Sequence, residues 1–181
     1  MSFTRASVCA VVLAAGASTR FGSPKQQVLL DEVLARVRES SVVDVVVVTG
    51  AHEVETEARV VRCPDWELGP GASLRCGLRV LGSETQAAVV VLADGPDLTP
   101  AAIDRVIEVW RESAAEVVAA TYTGQRLHPV LLARTVWERV PDEGARGLPG
   151  VLVPCDDLDS PGDVDSADDL PERFKPRTGE E

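Results

Sequence analysis

The chain has 181 residues, of which 18 are basic and 29 acidic, for a net charge of −11. With 45% hydrophobic and 26% charged residues, it has the composition of a globular protein that can bury a full core, and not that of a disordered chain. The acidic balance excludes a general nucleic-acid binder, which needs a basic face, but leaves room for a nucleotide site, because a few local groups can hold a phosphate against an acidic background.

Taken in chain order, the pattern alternates strands and helices. Residues 8–13 form a near-continuous apolar run, as expected of a strand covered on both faces. Leu29, Leu30, Val33, Leu34 and Val37 fall at helical spacing. The Val-rich segment 42–49 predicts a second buried strand, and 58–62 a short third one. Leu74, Leu78 and Leu81 predict a helix over 73–81. The clearest central strand is 87–92. Thr99 as N-cap and Pro100 in the first turn open a helix that runs to about residue 113. Further strands are predicted at 117–122, 129–133 and 151–154. Ser166 to Asp169 has capping-box form before a short last helix. Residues 1–174 are expected to form one domain, followed by a polar, mobile tail over 175–181. The expected architecture is α/β: a three-layer, Rossmann-like fold with a mostly parallel central sheet and helices on both faces.

No apolar run approaches the roughly 18 residues of a membrane helix. Cysteines stand at 9, 63, 76 and 155, with no CxxC pair, so neither a zinc site nor a thioredoxin-type motif is supported, and all four read as reduced thiols. Arg5, the apolar run to Ala15 and the small residues Ala15-Gly16-Ala17 imitate a signal peptide. The residues that follow, Ser18 to Lys25, complete a phosphate-loop pattern that cleavage would destroy. A cytoplasmic protein is therefore expected.

In a sheet of this kind ligands bind beyond the carboxyl ends of the strands. Four loops there carry polar chemistry. Leu13-Ala14-Ala15-Gly16 leads through Ser18 and Arg20 to Gly22 and Lys25. Small residues let backbone N–H groups approach an anion, and Arg20 and Lys25 add charge where phosphates would lie. The spacing fits neither a Walker A loop nor GxGxxG, which argues against a dehydrogenase. The chain has sixteen arginines and only two lysines, so a Lys at 25 suits a point-charge contact to phosphate. At the end of the central strand, Asp94 is placed to ligate Mg²⁺ beside a triphosphate, while Asp97 either joins it or shapes the turn. Asp163 and Asp165 face one way on an extended segment, and either can complete that metal site or belong to a solvated acidic surface. Gly69-Pro70-Gly71-Ala72-Ser73 opens a helix, where Ser73 either caps it or hydrogen-bonds a base. His128 precedes Pro129 in a turn, without a Ser or Cys partner for a nucleophilic triad.

The stretches LAAGASTRFGSPK (13–25), VVVVTGA (45–51), GPGASLRCGL (69–78), VLADGPDLTP (91–100), HPVLL (128–132), GARG (144–147) and DVDSADDL (163–170) together resemble the MobA-like nucleotidyltransferases, most closely the molybdenum cofactor cytidylyltransferase branch. The resemblance implies transfer of a nucleoside monophosphate, CMP by preference, from an NTP to a phosphorylated small molecule such as molybdopterin, with release of pyrophosphate. It implies Ala14, Ala15 and Gly16, with Leu13 beside them, against base and ribose. It further implies Arg20 and Lys25 on the triphosphate, Gly71 and Ser73 at the base, Asp94 and Asp165 on Mg²⁺, and His128 toward the acceptor. A protein partner that receives the product is also implied. Three departures fall on the acceptor half: a shortened run after Lys25, a short segment between Arg146 and Asp163, and Leu127 where the family tends to have Gly. They leave a second reading, a nucleotide-binding module of the same fold without acceptor chemistry.

Overall fold

In the computed structural model, residues 6–16, 23–164 and 169–175 are described, with the side chains of 23–26 left aside. Among these residues seven strands make one sheet: β1 (Ser7–Ala14), β2 (Asp44–Thr49), β3 (Arg59–Arg62), β4 (Thr85–Leu92), β5 (Val117–Tyr122), β6 (Gln125–Ala133) and β7 (Val151–Pro154), in the order β3-β2-β1-β4-β6-β5-β7. All run parallel except β6, which is antiparallel to both β4 and β5. Register follows side-chain alternation. Val8, Ala10 and Val12 of β1 point to one face, and Cys9 and Val11 to the other.

Among the described residues three α-helices cover the two faces. α1 (Ser23–Arg38) and α3 (Pro100–Ser113) lie on the face of Val8, Ala10 and Val12, burying Leu30, Val33, Leu34, Ile103, Val106 and Ile107. α2 (Pro70–Arg79) lies on the other face with Leu74 and Leu78, beside Val136 and Trp137 of the 3-10 turn Arg134–Arg139. A Leu or Ile buried in this way contributes about 1.5–3 kcal/mol. Gly77 sets how closely α2 lies on the sheet, since a Cβ there would stand 2.7 Å from Val11 and Val48. Thr99 caps α3, its hydroxyl accepting from the Ala102 N–H at 3.3 Å.

The architecture is thus the α/β, three-layer, mostly parallel arrangement expected. Several boundaries differ. α1 starts six residues before the apolar pattern, because the polar residues ahead of Leu29 carry no apolar periodicity to mark a helix start. α2 starts at Pro70, not 73, since Gly69 is its N-cap and proline suits the first helical position. Ser73 therefore lies inside the helix and does not cap it. β6 begins at Gln125, four residues early, because Thr123 (φ 49°) and Gly124 (φ 79°) close a two-residue hairpin after β5. The chain near the expected last helix holds a 3-10 turn, Glu172–Phe174, and Ser166 of its capping box lies outside the described residues.

The four cysteines are not all reduced thiols. Cys63, just after β3, and Cys76, in the second turn of α2, form a disulfide with their Cα atoms 5.8 Å apart. Nothing in a thirteen-residue separation reveals this; the packing of α2 against β3 does. Cys9 and Cys155 remain free and buried, and burial pushes both thiols up. The reduced-thiol reading thus fails for this pair. Among the described residues no helix is long and apolar enough to cross a membrane.

Candidate functional site

The carboxyl ends of β1, β2 and β4 meet at one edge of the sheet. Leu13 and Ala14 end β1, Ala15 is buried behind them, and Gly16 is exposed. Ala93 N–H donates to the Leu13 carbonyl at 3.0 Å, which carries the pairing of β1 and β4 one residue past the end of β4. Gly50, after β2, fits beneath Trp66 and against the Ala15 carbonyl; a Cβ there would lie 2.5 and 2.7 Å from them. No side chain other than glycine leaves the first loop in this place. Gly50 and Trp66 received no role from the sequence, although the 45–51 stretch that contains Gly50 carried part of the resemblance.

Gly71 and Ser73 sit in the first turn of α2, both buried. The Gly71 N–H donates to the Asp142 carbonyl at 2.9 Å, and a Cβ on Gly71 would stand 1.8 Å from the Pro141 oxygen. Arg75 fastens the same contact, donating to the Val140 carbonyl and to Asp142 at 2.7 Å each. The Gly-rich turn thus locks onto the loop that leads to the 3-10 turn Gly144–Gly147.

Asp94 follows β4. One of its carboxylate oxygens, Oδ1, is shut off from solvent. The segment 161–164 runs antiparallel alongside 94–97, with Val164 N–H donating to the Asp94 carbonyl at 3.1 Å and Asp97 N–H to the Pro161 carbonyl at 3.0 Å. Gly95 permits this approach, since a Cβ there would come within 3.2 Å of Pro161. Val164 is then held in a small apolar cluster with Leu29 of α1 and Leu170. Arg173 pairs with Asp97 at 2.6 Å, so Asp97 shapes and anchors this turn. Arg20 and Asp165 lie outside the described residues. Lys25 lies in the first turn of α1, four residues before Leu29, and the residue before Asp165 is bonded to Asp94. Strand end, helix start and C-terminal segment therefore converge.

A carboxylate at a strand end, followed across one hydrogen bond by an aspartate-bearing segment, is a hard-oxygen set that suits a divalent cation retaining much of its water. Asp94 and Asp165 would hold such an ion. Among the described residues no group of three or more His, Cys, Asp or Glu forms a cage for one.

His128 is buried in β6 near the start of the strand, and the His128–Pro129 peptide is cis. Burial, with Arg146 and Arg126 nearby, pushes its pKa down to about 4. It is therefore a neutral imidazole at ordinary pH. Arg126 donates to the carbonyls of Leu148 and Ala145 at 2.7 and 3.0 Å, which ties β6 to the turn bearing Arg146. Sequence reasoning missed both arginines. Arg126 stands two residues before His128, and Arg146 sits in a stretch noted only for its resemblance; a basic residue near a buried His was the available signal.

Comparison with known proteins finds the same fold. The structure of Rv0371c from Mycobacterium tuberculosis H37Rv superposes with a TM-score of 0.73 at 28% identity, covering 90% of this chain and 95% of that one. A complex of Rv0371c with manganese from the same organism gives 0.71 at 27% identity, covering 90% and 95%. A nucleotidyl transferase from Methanothermobacter thermautotroptrophicus shares the fold, with a TM-score of 0.67 at 18% identity over 90% of this chain and 94% of that one. No curated protein matches the chain. The MobA-like NTP transferase domain matches residues 10–154, and the chain belongs to this family of nucleotidyltransferases.

Proposed function

We propose that the protein is a divalent-metal-dependent, Mg²⁺ by preference, nucleotidyltransferase that moves CMP from CTP to a phosphorylated small molecule, with molybdopterin the acceptor suggested by the motifs. The observation that supports this reading is the docking of 161–164 along 94–97, in which the Val164 N–H, one residue before Asp165, donates to the main-chain carbonyl of Asp94, next to the Ala93 that bonds to the end of β1. A divalent ion is also what Rv0371c, the relative crystallised with manganese, binds. Preference for CTP rests on the LAAG and RFG forms of the first loop.

Leu13, Ala14, Ala15 and Gly16 would carry base and ribose, with Ser73 and Gly71 behind the base. Arg20 and Lys25 would neutralise the triphosphate and align its leaving group. Bound by Asp94 and Asp165, a divalent ion would supply further charge neutralisation at the reacting phosphate. An oxygen of the acceptor phosphate forms a bond to the α-phosphorus as the bond to the bridging oxygen breaks, and pyrophosphate leaves with that electron pair. No side-chain nucleophile is needed, which fits a site without a triad.

The test is pyrophosphate release from CTP, GTP and ATP with Mg²⁺ and a panel of phosphorylated acceptors. The expected result is release with CTP, reduced about 10²–10³-fold in Asp94→Asn, as when charge stabilisation at a transition state is removed. NTP binding without release for every acceptor would favour the non-catalytic module instead.

A further inference from the structure

Between the start of β6 and the 161–163 segment lies a cavity of about 40 Å³, lined by Gly95, Leu127, His128, Arg146 and Asp163 among others. It is far smaller than the roughly 300 Å³ or more of a whole small-molecule site, so it suits one end of a ligand. The end it suits is anionic. Ion pairs engage Arg36, Arg75, Arg105, Arg139 and Arg173, but among the described residues neither an ion pair nor a hydrogen bond engages Arg146. Arg146 is exposed at the rim of the cavity, on a turn that Arg126 holds through two backbone carbonyls. The field of both arginines is felt at His128, whose proton they help to repel. An anion beside that ring would be welcomed by the field of the two arginines, which is opposed in the lining by the single carboxylate of Asp163 and strengthened by the apolar Val91, Leu98 and Leu127.

We propose that Arg146, with the His128 ring beside it, holds the phosphate monoester of the acceptor at the mouth of this cavity. This rests on the nucleotidyltransfer reading above. A guanidinium fork matches two oxygens of a phosphate and leaves the third directed outward, where it can attack. Arg126 is a positioning residue that acts through the 145–148 turn.

Inorganic phosphate is the probe, followed by NMR of the His128 ring and the Arg146 guanidinium, in full-length protein with and without a saturating non-hydrolysable CTP analogue. Phosphate is expected to shift both groups in either condition. Arg146→Gln should weaken its binding about tenfold or more, the scale of one lost charge-assisted pair, while Arg139→Gln on the far surface leaves it unchanged. Equal phosphate binding by wild type and Arg146→Gln overturns the proposal. So does loss of the phosphate shift when the CTP analogue is present, since Arg146 would then belong to the nucleotide's own phosphates. Failure of CTP to bind wild type defeats the nucleotidyltransfer reading, while the Arg146 site stands or falls on the phosphate titration without nucleotide.

Discussion

The two halves of this sheet edge are built differently. Around β1, β2 and α2, each candidate group stands in a short contiguous run: Leu13 to Gly16, and Gly69 to Ser73. Around β4, β6 and the C-terminal segment, the groups come from positions 94, 126, 128, 146 and 163, joined only by folding. The first half can be read one loop at a time. The second exists only once Val164 has bonded to Asp94 and Arg126 has fastened the 145–148 turn. The halves are joined by the pairing of β1 with β4 and, at the site edge, by a loop seam where Gly71 is pressed against Pro141 and Asp142.

That seam offers the largest break. Gly71→Ala places a Cβ against the Pro141 carbonyl, so it should cost about 3 kcal/mol through forced backbone shifts. Thermal unfolding would measure the loss, and an unchanged Tm would show that the two loops are not locked together. Next, reduction of the Cys63–Cys76 disulfide releases a loop that carries Trp66 and the Gly-rich turn. For a loop of this length the chain-entropy scale gives roughly 3 kcal/mol. Denaturant melts with and without reductant should therefore differ in midpoint, the effect falling on the nucleotide half.

A smaller effect, on the other half, comes from His128. Its pKa is near 4 in the fold, against an ordinary value of 6.5. The unfolded chain thus takes up the proton first as pH falls. This contribution to stability is intact above about pH 6.5, declines through the window down to pH 4, and is fully lost below it. At pH 5 the loss should be roughly 2 kcal/mol, from about 1.4 kcal/mol for each unit between 6.5 and 5. His128→Gln should flatten the decline in unfolding free energy between pH 6.5 and 4. Persistence of the same slope in the variant would place the titration elsewhere. The charged groups around the ring, Arg126, Arg146 and Asp163, are unchanged in that variant.

How much of this was legible depends on whether a signal is local. β4 and the Thr99 cap of α3 were read almost to the residue, because an unbroken apolar run and a Thr-Pro pair are local facts. The position of Asp94 just past β4 was legible for the same reason, as the first carboxylate after that run. The start of β6 was not, since Gln125, Arg126 and His128 break the apolar pattern and only the hairpin with β5 makes them a strand. Gly71 was read as an anion-friendly turn, but its amide is engaged by a carbonyl seventy-one residues away. The disulfide and the Arg126 clamp are likewise contacts across the chain, invisible to spacing. Asp97 stood open between two roles, and its ion pair with Arg173, far along the chain, supports the turn-anchoring one.

The central claim is that Asp94 and the first loop together make a metal-dependent nucleotide site. The most direct measurement is calorimetric titration of wild type and Asp94→Asn with CTP, GTP and ATP, each with and without Mg²⁺. Mg²⁺-dependent binding that favours CTP and is lost in Asp94→Asn is the result expected. Binding of no nucleotide, or binding that the substitution leaves untouched, would contradict it.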